Sequence, residues 1–254
     1  MAIKEYPEWF RLGESLMWPL VGMAVATCRS HKMATLDLSM QGELAIYHHA
    51  GCLETSAHAN KRGKHSAALC LIRQSVEALC IAELSLQDPS FAEPLLLGWK
   101  DGKKTQGEVR KSLERDIWPR YGSGLWSETW PEFYANLARA VQPYAHYTSD
   151  LQGWQFSNHS YDGGTTFLAS TGLENYDSLL ATRITLLHAL LTWMLGRILL
   201  DHGKNTDVLT RKSDIHDLGK ALGSSRLLFE GGDWGSQLAP HMFFKPGQSW
   251  GDES

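Results

Sequence analysis

Three arginine-containing pairs are the first places in the sequence where chemistry could sit. The run Arg139-Ala140-Val141-Gln142-Pro143-Tyr144-Ala145-His146-Tyr147-Thr148-Ser149 sets Arg139 and His146 seven positions apart. Seven residues are close to two helical turns, so both side chains fall on one face. Pro143 cannot give its amide to the carbonyl of Arg139, so the helix should kink there. A kinked helix end carrying Arg139, Tyr144, His146 and Ser149 is a candidate polar pocket, with histidine as the acid–base group that titrates near neutrality. The competing reading is a helix end with a hydrogen-bonded core histidine. The second pair, Arg73 and Glu77 in Leu71-Ile72-Arg73-Gln74-Ser75-Val76-Glu77, is spaced four apart on one helix face. It reads equally as a surface ion pair or as a partly buried pair that orders a neighbouring polar site. The third, Arg197 and His202, is five apart, which places the two on different sides of a regular helix. His202 precedes Gly203, where a cationic side chain complements the helix dipole.

Two basic stretches add a possible surface for phosphates: Lys61, Arg62 and Lys64, and then Lys100, Lys103, Lys104, Arg110, Lys111 and Arg115 with Trp99, Trp118 and Tyr121 nearby. The second is diluted by Asp101, Glu108, Glu114 and Asp116, and a solvated helix face explains it as well. A net charge of −4 argues against coating nucleic acid by bulk electrostatics but leaves a local basic site open. No GxGxxG follows a strand pattern, and there is no P-loop, HExxH or GxSxG. His48, His49, Glu54 and His58 do not share one face, so a metal is not expected there. Cys28, Cys52, Cys70 and Cys80 form no CxxC pair, and Cys70 and Cys80 sit in an apolar stretch. They read as small core residues of a reducing, cytoplasmic compartment.

These residues need elements to hold them, and the pattern is helical throughout. Ala68, Leu69, Ile72, Val76, Leu79, Cys80 and Leu84 recur at three- and four-residue steps, which predicts a helix over His65–Leu86. Weaker stripes predict helices over Leu36–Asn60, Thr105–Trp118 and Glu128–Tyr147, with Phe91–Trp99 a short helix or turn. Tyr6–Ala26 is apolar, with Pro7 and Pro19 expected to break it. Gly153–Gly172 predicts a loop with a short hairpin, Trp154–Phe156 against Thr165–Leu168. Tyr176–His202 is a strong helix ended by Gly203; its core, Ile184–Leu200, falls just short of a comfortable membrane span, so a buried core helix is expected. Glu5, Glu8 and Glu14 stand where a signal peptide would be basic. A helix within Ile215–Phe229 and an irregular tail complete the chain. With no βαβ alternation, the expectation is an all-α helical bundle over residues 1–203, with 204–254 an extension packed on it.

The order of motifs resembles a known family. An apolar helix bears Arg73 and Glu77; Trp99-Lys100, Gly102 and Lys103 lead into Val109-Arg110-Lys111 and Leu113; then comes the helix ending Tyr144–Ser149, a loop, and a last long apolar helix. This succession, over roughly residues 40–202, resembles an uncharacterised bacterial helical family related to the HEPN (higher eukaryotes and prokaryotes nucleotide-binding) superfamily. The resemblance implies a helical bundle, often dimeric, and in many members a metal-independent, cofactor-free endoribonuclease of toxin–antitoxin or phage-defence systems. Their hallmark is Arg, four to six residues, then His, which Arg139–His146 and Arg197–His202 both satisfy. The first matches by its place in the helix order. The implied chemistry is His146 as general base or acid on the ribose 2′-hydroxyl and the leaving oxygen, with Arg139 holding the phosphate and Arg73 and Glu77 orienting the set. RNA, a second copy and an antitoxin or other protein are the implied partners. Ala140 and Ile198 stand where the hallmark has a polar residue. The alternatives are a catalytically inactive interaction module and a helical protein that binds a small molecule in a cleft of its ten tryptophans, among them Trp118, Trp126, Trp130 and Trp154.

Overall fold

The computed structural model describes residues 6–142, 156–161, 164–169, 176–202 and 206–225. Among the described residues the fold is an all-α bundle with one hairpin. Helix α1 (Glu8–Ser30) buries Trp9, Gly13, Leu16, Leu20, Ala24 and Cys28 at helical spacing. It runs through Pro19, where the sequence led us to expect a break. The proline forfeits one hydrogen bond, and the stripe of buried side chains on both sides of it offsets that loss.

Helices α2 (Leu36–Lys61) and α3 (His65–Ser85) form an antiparallel hairpin, the most extensive packing in the molecule. Thr35 caps α2 by accepting from the Leu38 amide, and the turn between the helices uses Gly63 at φ 71°. Gly42 permits the close approach at the far end: a Cβ there would lie 2.7 Å from Ser85 Cβ.

Helix α4 (Pro89–Lys100) starts on an Asp88 cap, and α5 (Gln106–Asp116) on a Thr105–Glu108 capping box. A 3-10 turn, Trp118–Tyr121, leads to α6 (Trp130–Val141), which begins with a Thr129–Glu132 capping box and Pro131 in its first turn. The rest of the helix expected to reach Tyr147 lies outside the described residues. Strands β1 (Phe156–Tyr161) and β2 (Gly164–Ala169) pair antiparallel with Phe156 opposite Ala169, a longer hairpin than expected and shifted forward in the first strand.

Helix α7 (Ser178–His202) is the central element, packed on α1, α2 and α3 with Ile184, Leu186, Leu190, Leu191 and Met194 buried. Its stretch Leu180–His202 is long and apolar enough to cross a membrane by length and composition, and most of it is buried inside the bundle. A short α8 (Thr206–Thr210) and α9 (Lys212–Gly223) follow, and α9 sets Ile215, Leu218 and Leu222, all fully buried, against α1 and α7. The four cysteines are free, with Cys28, Cys52 and Cys80 buried.

Candidate functional site

The bundle brings Arg73, Glu77 and Arg139 to one cavity of about 390 Å³ between α3, α5 and α6, and adds Arg110 from α5. The local reason is helical phase. Ile72 and Val76 take the core side of α3 and leave Arg73 at its edge; Leu137, Ala138 and Ala140 do the same for Arg139 on α6, and Val109 and Leu113 for Arg110 on α5. Arg73 Nη2 pairs with Glu77 Oε1 at 2.5 Å and donates to Gln142 Oε1 at 3.2 Å. Its Nε is buried with no acceptor among the described residues. Arg139 is exposed; Nη2 donates to Asn136 Oδ1 and Nε to the Ala135 carbonyl at 3.4 Å. Gln106 fixes the α3–α5 side by donating Nε2 to the Glu77 carbonyl at 2.8 Å.

Cys80 and Tyr134 also line the cavity, hydrogen-bonded to each other at 2.6 Å. Burial pushes the Cys80 thiol up to about 12 and the Tyr134 phenol well above its ordinary value, so neither is a nucleophile near neutral pH. The charged groups around the recess, among the described residues, are three guanidinium groups and one carboxylate, Glu77, with Gln106 and Gln142 beside them. Planar guanidinium forks match the oxygens of a phosphate or carboxylate, and this arrangement is suited to holding an oxyanion. Tyr144, His146 and Ser149 lie outside the described residues.

The pair Arg197–His202 does not converge. Arg197 donates Nη2 to the carbonyls of Tyr121 at 2.7 Å and Ser123 at 3.3 Å, and its guanidinium lies 5.2 Å from the Trp130 ring centre and 5.3 Å from that of Trp193. His202 instead accepts at Nε2 from Gln87 at 2.9 Å. Arg197 ties the 3-10 turn to α7, and His202 ties α7 to the segment after α3.

Of the second basic stretch, Lys100 pairs with Asp37, Lys103 with Asp101 at 2.9 Å and Arg115 with Asp116 at 2.6 Å. Only Arg110 of that stretch lines the arginine cavity. Of the tryptophans named for a cleft, Trp118 and Trp130 are no more than 1% exposed and belong to the core, Trp126 is half-buried, and Trp154 lies outside the described residues.

Spacing gave no hint of a polar ladder between α2, α3 and α7. Ser56 donates to the Ala68 carbonyl at 3.0 Å and meets His188 Nε2 at 2.9 Å; His49 Nδ1 lies 2.8 Å from Ser75 Oγ; His65 Nδ1 lies 2.7 Å from Asn60 Oδ1. Burial lowers His49 and His188 to about 4, keeping both neutral. Among the described residues no His, Cys, Asp or Glu cluster is arranged to hold a metal ion. No protein family, curated protein or solved structure matches the chain.

Proposed function

We propose that the arginine cavity binds a phosphodiester of RNA, and that His146 completes it as a metal-independent endoribonuclease. The observation that carries this reading is Arg73, Arg110 and Arg139 around a single recess in a chain of net charge −4. Gathering guanidinium groups at one place on an acidic protein focuses an attractive field there. His146 follows Arg139 by seven positions in the sequence and supplies the general base and acid for attack of the 2′-hydroxyl, while the arginines take the charge that develops on the phosphate. Glu77 fixes Arg73 for this purpose. A stress or phage-defence role accords with such an activity.

The test is incubation with a mixed RNA pool in EDTA beside an Arg139→Ala/His146→Ala double variant. Cleavage by the natural protein and its loss in the variant are expected; equal cleavage by both sinks the assignment. Ala140, 2% exposed directly after Arg139, favours a second reading, a module that binds RNA or protein without cleaving. It leaves an apolar group where the hallmark that the sequence resembles has a polar one. RNA binding without cleavage, weakened by Arg139→Ala, selects that reading.

A further inference from the structure

A second cavity, of about 210 Å³, opens between α1, α2 and α7 and shares no lining residue with the arginine cavity. His188 reaches it from α7, Phe10, Glu14 and Trp18 from α1, and Glu54 and Lys61 from α2. The hydrogen bonding fixes the tautomer of His188. Ser56 Oγ stands 3.0 Å from the Ala68 carbonyl and 2.9 Å from His188 Nε2. The hydroxyl has one proton. If it went to the imidazole, two oxygen lone pairs would face each other at 3.0 Å with nothing between them. The proton therefore goes to the carbonyl, Nε2 carries the ring hydrogen and donates to Ser56, and Nδ1 is a bare acceptor. No donor from the described residues reaches that Nδ1, and burial holds the ring neutral, with its pKa lowered to about 4.

The groups around it ask for the same kind of ligand. Glu14 and Glu54 are exposed carboxylates with no partner among the described residues, and both are acceptors only. Phe10 and Trp18 offer aromatic faces, which attract both an apolar ring and a cation. His58 and Lys61 also line the cavity; Lys61 is its one lysine or arginine, set against the two carboxylates.

We infer that this cavity binds a small primary amine with an apolar, one-ring body: the ammonium lies between Glu14, Glu54 and His188 Nδ1, and the ring lies against Phe10 and Trp18.

Isothermal titration of the full chain with phenethylamine tests this, beside two relatives of the same skeleton. Phenylacetate reverses the charge. The N,N,N-trimethyl derivative keeps the charge and lacks every N–H donor. Saturable binding of the amine is expected, with each relative about tenfold weaker or more, the size of one lost charge-assisted hydrogen bond. Glu14→Gln/Glu54→Gln, at two exposed positions, is expected to weaken the amine about tenfold or more on the same grounds. Absence of saturable binding, equal binding of either relative, or no change in the double variant overturns the inference.

Discussion

Arg139 and Arg197 have the same credentials in sequence and opposite fates in the fold. Each stands on an apolar helix with a histidine downstream, four or six residues intervening. Arg197 lies against Trp130 and Trp193, gives its protons to two backbone carbonyls, and locks the Tyr121–Ser123 turn onto α7. Arg139 is exposed and shares its cavity with Arg73 and Arg110. A spacing rule says which side chains share an element. It does not say what packs against them, and that decides whether a guanidinium is spent on protein carbonyls or left for a ligand.

The polar ladder between α2, α3 and α7 should reveal itself first by pH, with the largest effect. His49 and His188 are lowered to about 4 by burial, so the unfolded chain takes up protons as pH falls through 6.5 while the folded chain does not. Stability is then lost between about pH 6.5 and 4, on the order of 3 kcal/mol for the fully buried His49 and less for His188, whose ring reaches the open cavity. Glu83 opposes this. Burial raises its carboxyl to about 7, while Trp118 Nε1 donates to both of its oxygens at 3.0 Å. A raised carboxyl favours the folded state when protonated, so its contribution grows as pH falls from about 7 to 4.5. Urea denaturation should give a lower midpoint at pH 5 than at pH 7.5. Glu83→Gln, which keeps an acceptor for Trp118, should make the acid loss steeper and stabilise the protein near pH 8. Equal midpoints across that range in both proteins would mean these groups are hydrated rather than sealed.

A direct contrast of the two arginines comes next in size. Arg197→Ala leaves two carbonyls without their donor and removes contacts with two indoles. A cost of about 2–3 kcal/mol is expected. Arg139→Ala, at an exposed position, should cost under about 1 kcal/mol and act on RNA affinity instead. Thermal unfolding of the two variants side by side checks this; equal losses would remove the distinction.

How much of this was legible beforehand follows the same line. The helix of α3 was plain because Ile72, Val76 and Leu79 keep a period that only a helix makes one-sided. The passage of α1 through Pro19 was not, because a local breaker was outweighed by packing that sequence does not display. Arg73, Glu77 and Arg139 were singled out, and the fold does bring them together. Arg110 was read as one cation of a basic stretch that either receives phosphates or faces solvent, although its neighbour Val109 in the core stripe marks it as a residue at the edge of a buried face. The His188–Ser56 contact joins residues 132 positions apart, and no periodicity carries that information.

Arg110 therefore makes the finest test of the comparison, and its expected effect is the smallest. If the cavity receives a phosphate, each arginine that contacts it releases condensed counterions, and removing one should lower the slope of log affinity against log salt by roughly one. Arg110→Ala should reduce that slope and weaken single-stranded RNA about three- to tenfold at low salt, by a similar factor for every sequence, because a phosphate contact carries no base information. Lys103→Ala is the control: Lys103 is equally cationic and on the same side of the sequence, but already paired with Asp101 and absent from the cavity. Its slope should match that of the natural protein. A slope changed equally by both variants would show that the basic stretch acts as a diffuse surface and that Arg139, like Arg197, answers to the fold alone.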